Sequence, residues 1–172
     1  MQPAQLKIRL YGDAILTQKS LPVKEIGPAE RLLIESMLYT MYQHKGIGLA
    51  APQVGIDQRI FVADIGDGPI AVINPKVIKK SGLVGMDEGC LSIPGINVTI
   101  KRPKKITVSF TDINGQKHTV DLENLLARVF LHETDHLDGK LIVDYVSAKE
   151  KKELIKEFEA FLRKEISGQS DE

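Results

Sequence analysis

Two histidines spaced for one face of a helix are the strongest chemical feature of the sequence. They stand in the string His132-Glu133-Thr134-Asp135-His136. On a helix, residues i and i+4 lie one above the other, so both imidazoles can reach one metal ion. Glu133 is rotated by about 100° from His132, which leaves it outside the row of ligands but near enough to touch a water on the metal. The string predicts a metal-dependent hydrolase.

The chemistry expected of this arrangement is hydrolysis of an amide. A divalent metal lowers the pKa of a bound water, and a neighbouring carboxylate takes the proton and returns it to the leaving amine. Glu133 is placed for both steps. The alternative is that these residues occupy a partly exposed helical turn by chance. Against it, the string contains two of only four histidines in the chain, on the side of a predicted core helix that is expected to be buried, where imidazoles without a metal would need other partners. His44 and His118 each stand alone, and we predict surface or structural roles for them.

A third protein ligand is required, because a catalytic metal site normally has three and leaves one position for water. An extended protease pattern would place a histidine at position 142, where this chain has Ile142. Glutamates of a later helix are a second option, although they fit its solvent face: Glu150, Glu153 and Glu157. Cys90 is the better candidate, since a thiolate binds first-row divalent metals strongly and Gly89 allows close backbone approach. Its alternative role is that of a small buried core residue.

Three predicted helices and a β-rich middle must position these residues. Helical spacing of apolar residues predicts helices over residues 28 to about 45, about 122 to 137, and from Ser147 onward. Gly46 and Gly139 stand where the first two helices would be capped, and Ser147 with Glu150 predicts a capping box for the third. The apolar stripe of that third helix is Leu154, Phe158, Phe161 and Leu162. The second helix carries the two histidines.

The strands are predicted from β-branched or alternating runs bounded by glycine, proline and asparagine. These runs cover residues 59–64, 70–79, 96–101 and 105–111. Asn114-Gly115 predicts a tight hairpin that pairs the last of these strands with residues 118–120. The order of elements predicts an α+β fold, with antiparallel or mixed sheets around a central metal-binding helix and a C-terminal helix.

Composition predicts one soluble domain over residues 1–166, followed by a disordered tail over 167–172. Hydrophobic residues make up 42% and charged residues 27% of the 172 residues. The 23 basic residues balance 23 acidic ones, so we expect no DNA and no membrane to be held by charge. The basic segment 101–105 is assigned no partner. The first residues show no secretory signal and Cys90 is the only cysteine, which predicts a cytoplasmic protein.

Three segments of the chain resemble the peptide deformylase family. They are Gly46-Ile-Gly-Leu-Ala-Ala-Pro-Gln53, Glu88-Gly-Cys-Leu-Ser92 and His132-Glu-Thr-Asp-His136. In that family the three motifs occur in this order and at similar spacings. The resemblance extends from the first predicted helix through the C-terminal helix, and the joint match is highly specific.

The resemblance implies that the chain removes the formyl group from the N-formylmethionine of nascent polypeptides and releases formate. Cys90, His132 and His136 would hold one divalent metal ion, Fe(II) in the cell, with Zn, Ni or Co as replacements after isolation. Glu133 would handle the proton. Gln53 and the backbone N–H of Leu91 would stabilise the oxyanion.

The substrate implied by the resemblance is an N-formylmethionyl peptide. It would lie as an extended strand beside accessible backbone groups of Gly46, Ile47, Gly48 and Gly89. Walls for the methionine side chain would come from Ile47, Leu125, Val129 and the aliphatic stem of Arg128. Leu125 and Val129 equally fit a plain core. Some members have an arginine near position 97 that contacts the substrate backbone, whereas this chain has Asn97.

A transient contact with the ribosome would fit the same activity. The basic residues that could make it lie on the predicted C-terminal helix: Lys151, Lys152, Lys156, Arg163 and Lys164. The alternative is that they form an ordinary solvated helix face.

Overall fold

Three helices and seven strands form the part of the chain that the computed structural model describes, residues 2–169 of 172. The helices are α1 (Pro28–Gln43), α2 (Asn124–Leu137) and α3 (Ala148–Gln169). The strands are β1 (Gly48–Ala50), β2 (Ile60–Ala63), β3 (Ile70–Ser81), β4 (Val84–Gly89), β5 (Asn97–Arg102), β6 (Lys105–Thr111) and β7 (Lys117–Glu123). The predicted α+β class is confirmed. None of the described helices is long and apolar enough to cross a membrane.

The strands form two antiparallel sheets. One has five strands in the order β1-β2-β3-β6-β7, and the other is the hairpin β4-β5. All four residues of β2 are buried. Because side chains alternate along a strand, Phe61 faces α2 while Ile60 and Val62 face α1. The five-stranded sheet therefore lies between α1 and α2, and α2 is held as the central helix.

The hairpin β4-β5 packs in a different core cluster from those of the five-stranded sheet. Val98 and Ile100 of β5 join a core cluster with Ile142 and Val143, from the 3₁₀ helix Ile142–Tyr145, and with Phe158 of α3. The α3 residues Leu154 and Leu162 also pack against this cluster. The apolar stripe predicted for the third helix thus supports the hairpin.

Several predicted boundaries were wrong, for local reasons. Lys45, with φ 55°, takes the left-handed position after α1 that was assigned to Gly46. Leu122 belongs to β7 because it pairs with Ile106, and α2 begins two residues later, at Asn124. Gly139, with φ 74°, does follow the end of α2 as predicted.

Other differences concern elements that lack a strong local signal. The strands β1 and β4 were not predicted, since β1 has three residues and β4 has only one buried side chain, Glu88. The N–H of Asp112 donates to the carbonyl of Gln116 just beyond the ends of β6 and β7, so the turn itself comprises residues 113–115. Gly115 in this turn has φ 81°. The N–H of Glu150 donates to Ser147 Oγ at 3.2 Å, which is one of the two hydrogen bonds of the predicted capping box. Helix α3 continues past position 166 to Gln169, into the segment that was predicted to be a disordered tail. The rest of the predicted tail lies outside the described residues.

Candidate metal centre

Three potential metal ligands converge beneath the hairpin. One donor atom from each of Cys90, His132 and His136 lies within 4.8 Å of the other two. The Sγ of Cys90 is 3.4 Å from Nε2 of His136, and that atom is 3.2 Å from Nε2 of His132. The histidines lie one turn apart on α2, and Cys90 directly follows β4. Within residues 2–169, no other group of this kind was found.

The donor set fits a divalent first-row metal. A thiolate with two imidazoles suits ions such as Fe(II), Zn, Ni and Co, and three ligands leave a position for a reactant. His132 Nδ1 lies 2.8 Å from Glu88 Oε1, and the tautomer that donates Nδ1–H to this carboxylate presents its Nε2 lone pair to a metal. Burial lowers the pKa of His136 well below its usual value, so this imidazole is neutral, as a metal ligand must be.

Glu133 lies beside these ligands in a water-poor environment. The residue is 4% exposed, and its Oε1 lies 3.9 Å from Nε2 of His132. Burial raises its pKa to about 7, although the charge of the nearby Arg102 acts in the opposite direction. Its Oε2 is buried and has no hydrogen-bond partner among the described residues. A carboxylate with such a pKa and a free oxygen is suited to general acid/base chemistry near neutral pH.

The two predicted oxyanion donors flank Cys90. Gln53 accepts the N–H of Ala50 through Oε1 at 3.0 Å, which orients its Nε2 toward Ser92 Oγ at 3.1 Å and Cys90 Sγ at 3.5 Å. The N–H of Leu91 donates no hydrogen bond that the structure records within residues 2–169. Ser92 was quoted in the motif but not predicted as a site residue.

A cavity of about 400 Å³ opens over the metal ligands and is bordered by residues of β1 and β4. Of the predicted site residues, it is lined by Gly46, Ile47, Gly48, Gln53, Gly89, Cys90, Leu91, Leu125, Arg128, Val129, His132 and Glu133. His136 lies behind it and is 2% exposed. Further lining residues that the sequence did not reveal are Lys45, Met86, Asp87, Ile93, Gly95 and Ile96. No local pattern marks them, because they come from separate elements.

For two lining residues, the sequence left open whether they form a wall of the site or belong to the apolar core. Leu125 is 37% exposed and Val129 is 5% exposed. Both line the cavity, and neither belongs to one of the apolar core clusters. This placement favours the role of cavity wall. Asn97 also lines the cavity, opposite Gly89 in the β4-β5 register.

A buried ion network around Glu88 was not predicted. Arg102 binds Glu88 with Nε at 2.6 Å and a second guanidinium nitrogen at 2.9 Å, and Arg128 contacts the same carboxylate at 2.6 Å. Burial by itself would raise the pKa of Glu88, but the hydrogen bonds from His132 and Arg102 lower it to about 2. Asp135 accepts from Arg102 at 2.9 Å. The sequence signal that could have indicated a role for Glu88 was its position in the motif that contains Cys90.

The two solitary histidines lie outside the centre. His44 caps the C-terminal end of α1. His118 Nε2 lies 2.7 Å from Asp112 Oδ2, and its ring stacks on Phe110 at 5.2 Å between centroids. Both positions match the predicted surface or structural roles.

Comparison with known proteins identifies relatives along most of the chain. A family model described as polypeptide deformylase matches residues 5–152. A peptide deformylase of Thermotoga neapolitana is 46% identical over 141 residues, which are 81% of this chain and 86% of that protein. One of Chlorobaculum parvum is 41% identical over 162 residues, 90% of this chain and 87% of that protein.

Solved structures show the same likeness. The crystal structure of a peptide deformylase from Legionella pneumophila has a TM-score of 0.91 at 36% identity, covering 95% of this chain and 98% of that chain. That of the Thermotoga maritima enzyme has a TM-score of 0.82 at 46% identity, covering 83% of this chain and 98% of that chain.

Proposed function

Because the chain belongs to the peptide deformylase family, we propose that Cys90, His132 and His136 hold its metal ion and that Glu133, Gln53 and Leu91 act on the formyl group. The enzyme is a metal-dependent hydrolase that acts on formylated peptides. The observation that carries the assignment is the meeting of a thiol and two imidazoles beside a buried carboxylate in one cavity.

Each residue has a separate task in the proposed reaction. A bound divalent ion would polarise the formyl carbonyl and make the attacking water more acidic. Glu133 takes the proton from that water and passes it to the departing amine. Gln53 Nε2 and the N–H of Leu91 donate to the oxygen on which negative charge develops, and such donors are worth roughly 3 kcal/mol each.

The peptide is proposed to bind between two strand edges. Within the described residues, β1 pairs only with β2 and β4 pairs only with β5, so each has one edge without a partner strand. Gly48 of β1 and Gly89 of β4 both line the cavity. An extended peptide can add to such an edge through main-chain hydrogen bonds, which recognise no particular downstream sequence.

The methionine side chain is proposed to enter between Ile47, Leu125, Val129 and the stem of Arg128. Ile47 is 45% exposed and Leu125 is 37% exposed, so a bound apolar side chain would remove their surface from water.

We propose Fe(II) as the working metal, and anaerobic metal analysis paired with a formate-release assay tests the assignment. Formyl-methionyl peptides should yield formate in proportion to bound metal, whereas unformylated peptides should remain intact. Cys90→Ser should retain less metal or bind a different one, because a hydroxyl is a poorer ligand for a soft ion. Equal metal content and equal activity in the wild type and Cys90→Ser would refute the role of Cys90. Cleavage of internal peptide bonds would instead identify a peptidase.

We further propose that the enzyme acts in the cytoplasm on nascent chains at the ribosome. Lys152, Lys156, Arg163 and Lys164 are exposed on α3, whereas Lys151 pairs with Asp144 at 2.6 Å. Reversing the four exposed charges should reduce sedimentation with ribosomes and leave hydrolysis of free peptides unchanged. A matched variant reverses four exposed lysines on the strands, Lys76, Lys79, Lys80 and Lys101. Equal ribosome binding by the α3 variant and the wild type would exclude this contact.

A further inference from the structure

The metal ligands belong to two parts of the molecule that share no apolar core. The hairpin β4-β5 packs with the 3₁₀ helix Ile142–Tyr145 and α3, whereas α2 packs on the five-stranded sheet. Neither cluster contains residues of both the hairpin and α2. Cys90 follows the hairpin, while His132 and His136 lie on α2. The distance between the thiol and the imidazoles is therefore not set by an apolar cluster common to the hairpin and α2.

Strand β4 buries few side chains against the rest of the molecule. Of its six residues only Glu88 is buried. A two-stranded hairpin is marginally stable in water unless another element supports it. Its partner β5 contributes apolar side chains to the core, but β4, which leads directly to Cys90, contributes a carboxylate. Its anchoring must come from polar contacts.

Arg128 makes these contacts from α2. One terminal nitrogen donates to Glu88 Oε2 at 2.6 Å and to the carbonyl of Ile100 at 2.9 Å. The other donates to the carbonyl of Val84 at 2.6 Å. Val84 belongs to β4 and Ile100 to β5, so one guanidinium holds both strands of the hairpin. Arg128 is 7% exposed, and water therefore competes little for these hydrogen bonds.

The carboxylate that Arg128 holds also orients a ligand. Glu88 accepts the Nδ1–H of His132 through its other oxygen at 2.8 Å. Arg102 of β5 adds a second link, since it bonds both Glu88 and Asp135 of α2. Of the two arginines, Arg128 is the one that reaches from α2 to the backbone of both strands.

We propose that Arg128 is a positioning residue that holds the β4-β5 hairpin against α2 and so sets the separation of Cys90 from His132 and His136. This role rests on the proposed metal ligands and is additional to the contact between its aliphatic stem and the substrate. It requires the planar fork of a guanidinium. A lysine ammonium is a point charge that cannot reach a carboxylate and two carbonyls with the same geometry.

The test compares Arg128→Lys with the wild type and with Arg31→Lys, a matched substitution at an exposed position of α1. In metal-loaded Arg128→Lys, amide hydrogen exchange in β4 and β5 should be at least about tenfold faster, while exchange in β6 and β7 stays unchanged. Metal loss to a chelator should also be about tenfold faster. The value of kcat should fall with KM nearly constant. Arg31→Lys should match the wild type in all these measurements.

Arg128→Met keeps the stem and removes the charge, but it leaves Glu88 with one partner fewer in a buried site, so this variant risks failing to fold. The decision therefore rests on Arg128→Lys. Faster exchange throughout the molecule would show a general contribution to stability and overturn the proposal. A raised KM with normal exchange and normal metal retention would show direct substrate binding and also overturn it. Exchange does not depend on turnover, so its result stands even if the proposed reaction is wrong.

Discussion

The proposed role of Glu133 in proton transfer depends on a carboxylate that is buried but not fully hydrogen-bonded. Its carboxylate is removed from water, yet Oε2 has no hydrogen-bond partner among the described residues. Burial raises its pKa to about 7, so near neutral pH the group can either accept or return a proton. Glu133 is not one of the three converging donor residues, so the proposed reaction assigns proton transfer and metal binding to different side chains.

Glu133→Gln is expected to lower kcat by about 10²- to 10⁴-fold, because the amide has the shape of the carboxylate but cannot take a proton. Metal content should remain at the wild-type value, since all three ligands are intact. Steady-state kinetics and metal analysis on the same sample check both statements. Loss of metal together with activity would mean that Glu133 is needed to hold the ion.

Gly48 leaves room for the Glu133 carboxylate, in addition to its proposed role of leaving backbone accessible to the substrate. A Cβ at this position would lie 2.7 Å from Oε1 of Glu133. Gly48→Ala should therefore displace the carboxylate and lower kcat by about 10²-fold with metal retained. In Gly85→Ala the nearest heavy atom would be 3.8 Å away, an ordinary contact, so this control on β4 should keep full activity. Equal kcat for the two variants would contradict the steric argument.

At the scale of an element, the side chain of Glu30 stabilises the N-terminal end of helix α1. The helix starts at Pro28, and Glu30 Oε2 accepts the N–H of Gly27 at 2.9 Å. That hydrogen bond, followed by the one from its own N–H, lowers the pKa of Glu30 below its usual value of 4.5. The charged form is thus favoured in the folded state, which also places a negative charge at the N-terminal end of the helix dipole.

The lowered pKa determines the sign of a pH effect. The stabilisation is fully present above about pH 4.5 and is lost as the pH falls through the folded-state pKa. Glu30→Gln should lower Tm by about 1–3 °C at pH 7 and by less as the medium becomes acidic. Thermal melts over this pH range measure it. Glu35→Gln makes the same charge change at an exposed position of α1 and should give no such pattern.

At the scale of the whole molecule, α3 is part of the support for the proposed metal centre. Phe158 is 3% exposed, joins the cluster that contains the hairpin residues, and meets the ring of Tyr11 edge to face at 6.1 Å. The ring of Phe161 lies against Gly95, which follows Cys90 in the same loop. A helix at the end of the chain thus packs behind the segment that carries the thiol.

Phe158→Ala should lower the free energy of unfolding by about 3–4 kcal/mol, because it leaves a cavity in this cluster. Denaturant unfolding measures the change. Ile166→Ala alters a side chain of the same helix that is 69% exposed, and its effect should stay within about 0.5 kcal/mol. A loss below about 1 kcal/mol for Phe158→Ala would show that α3 contributes little to the core.

The sequence by itself determined the features that depend on near neighbours. The spacing of His132 and His136 places them on one helix face whatever the rest of the fold does, because an α-helix repeats every 3.6 residues. The same periodicity located the three helices, and strand 105–111 was predicted with its observed ends. Excluding a histidine at position 142 left Cys90 as the best third ligand, and the three motifs together indicated the family.

Only the tertiary structure decided how the separate segments meet. The sequence contains no local signal that Arg128 bonds the backbone of Val84 and Ile100, or that Glu88 orients His132. The raised pKa of Glu133 and the close approach of Gly48 to it also follow from contacts between distant parts of the chain. Local geometry repeats along an element and can be read from spacing, whereas these contacts depend on how two separately packed parts of the molecule are brought together.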